Sequence, residues 1–415
     1  MAAHKPYLTL NDVALTGKTV LLRVDINAPI VNGRIQGTDR IEAAAETVNF
    51  LVGKGARTVV LAHQGRKGSD DYTSLEEHAQ VLQRFTKATV KFVPDVYGDK
   101  AVAAIKGLQN GEVLVLENVR GTDDENKKGK PADLAQTQLV QTLAGVADVF
   151  VNDAFSAAHR SQTSMVGFQT LIPNVAGLTM DRELTALAQA VDNPQRPAVY
   201  ILGGAKPEDS INVMRANFEK GTLDQALLGG IVGNLFLIAR GHDLGPATTE
   251  YMRAKGILDL LPQAEALLEK YDESIVTPVD VAVKTTKGTR QELWVEDLPV
   301  KDSILDIGPE TIALYQEIIA DAGSLMMNGP MGLYEDENFN KGTKAVLQAI
   351  ADNEAFSLMG GGHTITAIHQ FGLHFEDFGY VSLAGGALMS YLTGEELPAV
   401  TALKVSAQKF GQAPQ

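Results

Sequence analysis

An α/β architecture of two doubly wound parallel-sheet domains, facing each other across a cleft and joined by a helix, is what this sequence predicts, and three observations carry it. The chain has 415 residues, beyond the roughly 250 to 300 at which a single core stops growing, so two domains are the default. Short apolar runs of strand type recur along it, nearly all ending in glycine or a polar residue and followed by a helical pattern, which is the alternation of parallel α/β structure. The alternation pauses at the turn Asn193-Pro194-Gln195-Arg196-Pro197 and then begins again.

In the first half the strand runs are Val20 to Val24, Thr58 to Ala62, Val113 to Leu116 and Val149 to Val151, ending at Asp25, His63, Glu117 and Asn152. A polar tract, Gly121 to Lys130, reads as a surface loop without further signal. A helical stretch from about Arg182 to Val191 leads to the turn and marks the domain boundary. The runs of the second half are Val199 to Leu202, Ala226 to Leu228, Leu325 to Met327, Phe356 to Met359 and Tyr380 to Leu383, each leading into glycine directly or after Asn328 or Ala384. These bounds predict an N-terminal domain over 1–180, a connecting helix over 181–192 and a C-terminal domain over 193–402. The longest apolar stretch, Leu227 to Ala239, contains Asn234 and three glycines; it is shorter than the ~18 residues of a membrane span and reads as a buried strand, turn and helix.

Composition narrows the function. With 45% hydrophobic and 21% charged residues the chain reads as an ordinary globular protein. A formal net charge of -15 disfavours nucleic acid and anionic lipid as partners. The absence of cysteine excludes disulfides, thiolate metal sites and cysteine nucleophiles, and favours an intracellular setting. Met1 to Pro6 contains no apolar run of signal-peptide type, so the expected location is the cytoplasm.

Ligands of open parallel sheets bind outside the carboxyl ends of the strands, so the strand endings form two site inventories. The first half presents arginine, histidine and aspartate. Asp39-Arg40-Ile41-Glu42 opens a helix, with Asp39 as cap and Glu42 completing a capping box. Arg40 then lies in the first turn, where a cation opposes the macrodipole by ~0.3 to 1 kcal/mol unless an anion lies between them; taken alone it reads more readily as a solvated surface arginine, and the grouping with other basic residues is what favours a site. His63 and Arg66 follow one strand, Arg120 another, and His159 and Arg160 a third. Guanidinium groups suit phosphate and carboxylate alike, so their convergence would bind a substrate carrying both. His63 and His159 have no ligand partners at helical spacing and read as hydrogen-bonding to an anion rather than to metal. Asp25 and Asn27 either shape the turn before Pro29 or hold a substrate hydroxyl.

The second half presents glycine turns: Gly203-Gly204-Ala205-Lys206 ahead of Pro207, Gly229-Gly230, Asn328-Gly329-Pro330-Met331-Gly332, and Gly360-Gly361-Gly362-His363-Thr364. Pro207 suits a first helical turn, which aims Lys206 at a helix N-terminus, and glycines let a ligand's phosphates approach backbone N–H groups. No P-loop exists, because Asp12 stands where one would need its first glycine before Gly17-Lys18-Thr19, and there is no G-x-G-x-x-G fingerprint.

Taken together these segments resemble the phosphoglycerate kinase family over nearly the whole chain. The resemblance rests on Arg23-Val24-Asp25-Ile26-Asn27-Ala28-Pro29, His63-Gln64-Gly65-Arg66, Glu117-Asn118-Val119-Arg120, and the run from Asn152 through Asp153-Ala154-Phe155-Ser156 to Arg160. In the second half it rests on Leu202 to Lys206, Met327 to Gly332 and Gly360 to Gly362. It implies reversible phosphoryl transfer between ATP and the carboxylate of 3-phosphoglycerate, giving ADP and 1,3-bisphosphoglycerate, in glycolysis and gluconeogenesis. By the same resemblance Asp25, Asn27, Arg40, His63, Arg66, Arg120 and Arg160 bind 3-phosphoglycerate. Gly203, Gly204, Lys206, Gly229, Asn328, Glu335, Gly360, Gly361, Gly362, His363 and Thr364 line the nucleotide site, with Glu335 toward the ribose. Residues 403–415 are implied to pack back on the first domain.

Arg40 and Lys206 are the residues expected to neutralise the transferred charge, because phosphoryl transfer asks for positioning and electrostatics. The nucleophile is already a carboxylate, so no general base is required. Magnesium would bridge the phosphates of ATP or ADP; no protein metal ligand is assigned. The lobes are expected to close about the connecting helix, in a monomer or homodimer. Three positions depart from the commonest family pattern: His363 in place of an aspartate near the metal, Ser210 in place of a second lysine, and Ala384 in place of a glycine, the first two resembling the archaeal branch. A non-catalytic nucleotide- or anion-binding protein on the same fold is the alternative, and a dehydrogenase is disfavoured by the missing fingerprint.

Overall fold

The computed structural model describes residues 5–411. The chain divides into two compact units, one comprising Met1–Leu184 and Glu396–Gln415 and the other Thr185–Glu395. Residues 1–4 of the expected first domain and 412–415 of the returning segment lie outside the described residues.

The first unit is built on β1 (Thr19–Arg23), β4 (Arg57–Leu61), β5 (Val90–Phe92), β6 (Val113–Val115), β7 (Val149–Asn152) and β8 (Asn174–Ala176), with a small antiparallel hairpin of β2 (Ile30–Val31) and β3 (Arg34–Ile35) set apart from them. The six strands pair in parallel in the order β5-β6-β4-β1-β7-β8. Every residue of β1, β6 and β7 is buried, as a sheet covered by helices on both faces requires, and apolar clusters fill the layer on either side. The order reverses at β1, so the carboxyl ends of β1, β4 and β7 surround the crevice where ligands of such sheets bind.

The chain re-enters this unit at Glu396, ahead of Leu403. There the helix Pro398–Phe410 is tied down by three hydrogen bonds. Its Ala399 N–H donates to the Ala158 carbonyl at 3.1 Å, its Ser406 hydroxyl accepts from the Asn174 N–H at 2.7 Å, and its Lys409 ammonium donates to the Thr170 carbonyl at 2.7 Å. The helix Leu178–Leu187 carries the chain across the boundary between units and loosens into a π-helical turn at Ala188–Asp192.

The second unit holds another six-stranded parallel sheet, of β9 (Ala198–Leu202), β10 (Gln225–Leu228), β11 (Ile275–Val276), β15 (Ser324–Asn328), β16 (Phe356–Gly360) and β17 (Tyr380–Val381). Its order, β11-β10-β9-β15-β16-β17, is the 3-2-1-4-5-6 arrangement of nucleotide-binding doubly wound sheets, formed here without the dinucleotide fingerprint. Absent from the reading of the sequence are the short strands β5, β8 and β11, the hairpin of β2 and β3, and a whole three-stranded antiparallel sheet of β12 (Asp280–Lys284), β13 (Arg290–Trp294) and β14 (Ser303–Ile307). Among the described residues no helix is long and apolar enough to cross a membrane.

Candidate functional site

In the first unit the strand ends assemble a basic cluster around one carboxylate. Asp25, two residues beyond β1, accepts from the Arg40 guanidinium at 2.8 Å, from the Asn27 N–H at 3.0 Å and from the Ser156 hydroxyl. Burial pushes its carboxyl up, but Arg40, His63 and the two hydrogen bonds outweigh that, and the net shift is downward. The expectation for Arg40 is thereby corrected in part. It does sit in the first turn of the helix Asp39–Gly53, and the anion that it meets is Asp25. Thr38 occupies the N-cap and no side chain caps the helix, so Asp39 and Glu42 are first-turn acids and the capping box does not form; they act on the dipole instead.

Asn27 accepts from the Gly65 N–H at 2.8 Å, which pins the loop after β4. Gly65 has φ +61, and a Cβ there would lie 2.6 Å from the Asp71 backbone, so only glycine fits. Beneath the loop, Gln64 exchanges two hydrogen bonds with the backbone of Ala28, each 2.9 Å, and also meets buried His78. Arg120 donates one nitrogen to the Gly65 carbonyl, while its other terminal nitrogen is buried without a partner. Burial first, then the neighbouring Arg160 and Arg23 cations, bring its pKa down to about 10. His63 is held well below the usual histidine range by burial and by Arg23, with Arg120 and Arg160 adding to the effect. Arg160 donates to the His159 ring at 3.2 Å. Arg66 is exposed and exerts its repulsion on Arg120 from the rim. All seven expected substrate residues therefore belong to one electrostatic neighbourhood. Mutual repulsion there raises its affinity for an anion.

Two members of this cluster were not among the site residues read from the sequence, although Arg23 opens one of its motifs. Arg23, the last residue of β1, is fully buried and reaches both Ser164 at 2.8 Å and the His63 ring at 3.1 Å. Glu125 lies in the tract taken for a plain surface loop, and that reading is corrected: it is fully buried, and both its oxygens accept from Ser164, at 2.7 and 2.8 Å. Ser164 thus relays a countercharge to Arg23. The signal available in the sequence was an arginine closing an otherwise apolar strand, which demands a partner somewhere.

In the second unit the glycines do something other than offer their N–H groups. Gly203 donates to the Asn328 carbonyl at 3.0 Å, Gly204 to Pro330 at 2.7 Å, Gly229 to Leu202 at 3.1 Å and Gly230 to Met331 at 2.8 Å. A Cβ on Gly203 would stand 2.1 Å from the Pro330 oxygen. These glycines allow three turns to pack backbone against backbone. N–H groups for an anion are left to the helix N-termini that follow, at Pro207–Lys220, Gly230–Ala239 and Gly362–Gln370. Lys206 is exposed at the N-cap of the first, directly before Pro207. Asn328 lays its side-chain oxygen where a Cβ of Gly361 would be, Gly360 is similarly closed by Leu388, and Gly362 is open. Thr364 is buried, its hydroxyl accepting from the Gly329 N–H at 2.9 Å.

Beside these turns lies a mainly apolar cavity of about 350 Å³. The helix Gly230–Ala239, Tyr251, Ile304 to Ile307 on β14 and the loop Pro330 to Glu335 enclose it, and of the expected nucleotide residues Gly204, Glu335 and His363 reach its wall. His363 and Glu335 are both exposed, 3.9 Å apart, and the histidine ring also meets the Tyr334 hydroxyl at 3.1 Å. The floor is fixed by Asp306, which pairs with Arg290 at 2.8 Å and accepts from the Gly342 N–H at 3.0 Å. Burial pushes its carboxyl up to about 6 against the pull of these partners. Asp306 and Arg290 belong to the unexpected antiparallel sheet, which is why neither was anticipated.

A basic cluster at the strand ends of one parallel-sheet unit and an apolar cavity beside the glycine turns of another are the frame of an α/β enzyme, and its relatives make it a kinase. A family model described as phosphoglycerate kinase matches residues 10–395. The phosphoglycerate kinase of Methanothermobacter thermautotrophicus is 45% identical over 96% of this chain and 97% of its own length, and that of Pyrococcus abyssi is 42% identical over 97% and 98%. The crystal structure of phosphoglycerate kinase from Pyrococcus horikoshii superposes with a TM-score of 0.87 at 41% identity, covering 97% of this chain and all of the other. That from Coxiella burnetii gives 0.85 at 32% identity, covering 98% of this chain. The chain belongs to the phosphoglycerate kinase family. Several of its relatives are archaeal, and no observation favours a non-catalytic protein.

Proposed function

We propose that the basic cluster binds 3-phosphoglycerate and that the cavity with its glycine turns binds ATP or ADP, so that a phosphoryl group passes between the nucleotide and the substrate carboxylate. The observation that carries this reading is the buried, unpartnered nitrogen of Arg120 among Arg23, His63 and Arg160. Leaving it unsatisfied is costly, and a bound anion repays that cost. Arg40 is half-buried and held by Asp25. A carboxylate or phosphate oxygen arriving beside it takes over one side of a guanidinium that is already oriented. Asp25 and Asn27 are the groups suited to the substrate hydroxyl, Arg66, Arg120 and Arg160 to its phosphate, and His63 to either.

In the second unit Lys206 lies where a helix N-terminus and an ammonium both favour phosphate. The apolar cavity suits a purine, and Glu335 suits the ribose hydroxyls. Gly203, Gly204, Gly229, Asn328, Gly360, Gly361 and Thr364 shape the turns on which the phosphates rest, and Gly362 and His363 open the next helix toward them. Among the described residues no three histidine, aspartate or glutamate side chains cluster as a metal cage, so a magnesium ion fits here as a companion of the nucleotide. It would be held chiefly by phosphate oxygens and would neutralise their charge. A cytoplasmic setting follows from the same reading.

The test is ADP formation from ATP, magnesium and 3-phosphoglycerate, comparing the intact protein with Arg40→Ala and Lys206→Ala. Each variant is expected to lose on the order of 10²- to 10³-fold in kcat, as removal of a charge-stabilising donor does. Turnover retained in both variants would overturn the assignment of charges, and no turnover in the folded intact protein would overturn the reaction.

A further inference from the structure

Asn234 interrupts an otherwise apolar helix, Gly230–Ala239, and nothing in the site as described so far uses it. Its side chain lines the cavity together with Gly230 and Ile231, which lie four and three positions earlier and so share its helix face. Only 4% of the residue is exposed. Among the described residues none hydrogen-bonds to its carboxamide, whereas the other buried polar groups of the wall are engaged: Thr248 accepts from the Ile304 N–H at 3.1 Å, and Asp306 holds Arg290, Gly342 and Ile307. Neither polar atom of that amide is sealed off, so its donor and acceptor stay open to the cavity that the residue lines, which a leucine in the same place would not offer.

The chemistry of that capacity is specific. A carboxamide offers one acceptor and one donor side by side. Adenine presents the complementary pair on its edge, an exocyclic amine next to a ring nitrogen, and side-chain carboxamides recognise it in this way elsewhere. On that N7 edge a 6-oxo purine presents two acceptors, N7 and O6, and leaves the amide oxygen facing another oxygen, so the selection requires pairing through the N6/N7 side rather than through N1. We infer that Asn234 selects the base, favouring adenine over 6-oxo purines by pairing with the 6-amino edge. This rests on the reading that the cavity receives the base of the nucleotide.

Calorimetric titration of the full-length protein with ADP and with IDP, whose base carries a 6-oxo group, tests it. The intact protein is expected to bind ADP about 10-fold or more tightly than IDP, and Asn234→Leu to bring the two within about 2-fold, chiefly by weakening ADP. The KM for 3-phosphoglycerate should not change. Equal affinities in the intact protein, or an unaltered ratio in the leucine variant, overturn the inference. Should the leucine protein fail to fold, Asn234→Thr, which keeps a polar side chain without the side-by-side donor and acceptor, is expected to bring the ratio down in the same way, and an unaltered ratio there overturns the inference. Ala247→Trp, which fills the cavity, separates the two levels of the argument. If both ligands still bind it as before, the cavity is not the base site; if both are lost while Asn234→Leu keeps the ratio, only the role of Asn234 fails.

Discussion

Each unit buries an arginine under its site and sets a carboxylate against it, but the two pairs serve different ends. In the first unit Glu125 reaches Arg23 through Ser164, and Arg23 spends its remaining donors on Val24 and the His63 ring. Its charge is felt at His63 and Arg120. In the second unit Arg290 is spent on Asp306, on Glu292, on the Ile307 carbonyl and on the Asn338 carbonyl, all of them structural. The same electrostatic device adds to the field of one site and staples the floor of the other. A buried ion pair is therefore not by itself a mark of function; where the cation's leftover donors point decides it.

Breaking each pair should show this. Asp306→Ala strips Arg290 of its fully buried countercharge and the helix Lys341–Ala351 of its Gly342 contact, leaving the partly exposed Glu292 and the Ile307 and Asn338 carbonyls. The expected loss is about 3 kcal/mol or more, read as a fall of roughly 6–12 °C in thermal midpoint, with the KM for 3-phosphoglycerate unchanged. Glu125→Ala should also destabilise, but it must raise that KM as well, because Arg23 would relax away from His63. Equal KM effects from both variants would remove the distinction.

The glycine turns carry a smaller contrast of the same kind. Gly203→Ala forces a methyl against the Pro330 carbonyl, whereas a Cβ on Gly362 meets nothing within 4 Å. Overpacking of this sort costs about 1–3 kcal/mol, so Gly203→Ala should lower the midpoint in urea. Gly362→Ala should stay within about 0.5 kcal/mol, and any effect it has should fall on the nucleotide KM. A nucleotide effect without destabilisation at Gly203 would mean that this turn, too, touches ligand directly.

How much was legible follows from the same physics. Strand ends were readable because a buried parallel strand is a continuous apolar run and its chemistry begins where the run stops, as at Asp25, His63 and Gly203. The antiparallel sheet was not, because β13, Arg-Gln-Glu-Leu-Trp, is largely exposed and carries no apolar run; with it went Asp306 and Arg290. Glu125 was missed because a tract of charged residues has the composition of a solvated loop, and its burial depends on Ser164, far away in sequence. Asp39 was misplaced by one position, which local pattern does not resolve when Thr38 precedes it. The cavity is a product of packing between segments distant in sequence, and only the lone Asn234 in an apolar helix hinted at it.

The finest test of the first site is its own histidine. Burial and the surrounding arginines hold His63 well below the ordinary 6.5, so the folded protein binds fewer protons there than the unfolded chain once pH falls through about 6.5. Stability contributed at this position is therefore present above that pH and is lost as pH drops toward the folded value, and His63→Gln should flatten this part of the pH profile. A bound dianion reverses the local field, because it adds negative charge among Arg23, Arg120 and Arg160. Histidine NMR titration should then show the His63 resonance titrating below 6.5 in the free protein and moving upward when 3-phosphoglycerate is added, with no such movement on adding ADP alone. An upward shift produced by the nucleotide alone would show that the first site is not the one built for the small anion.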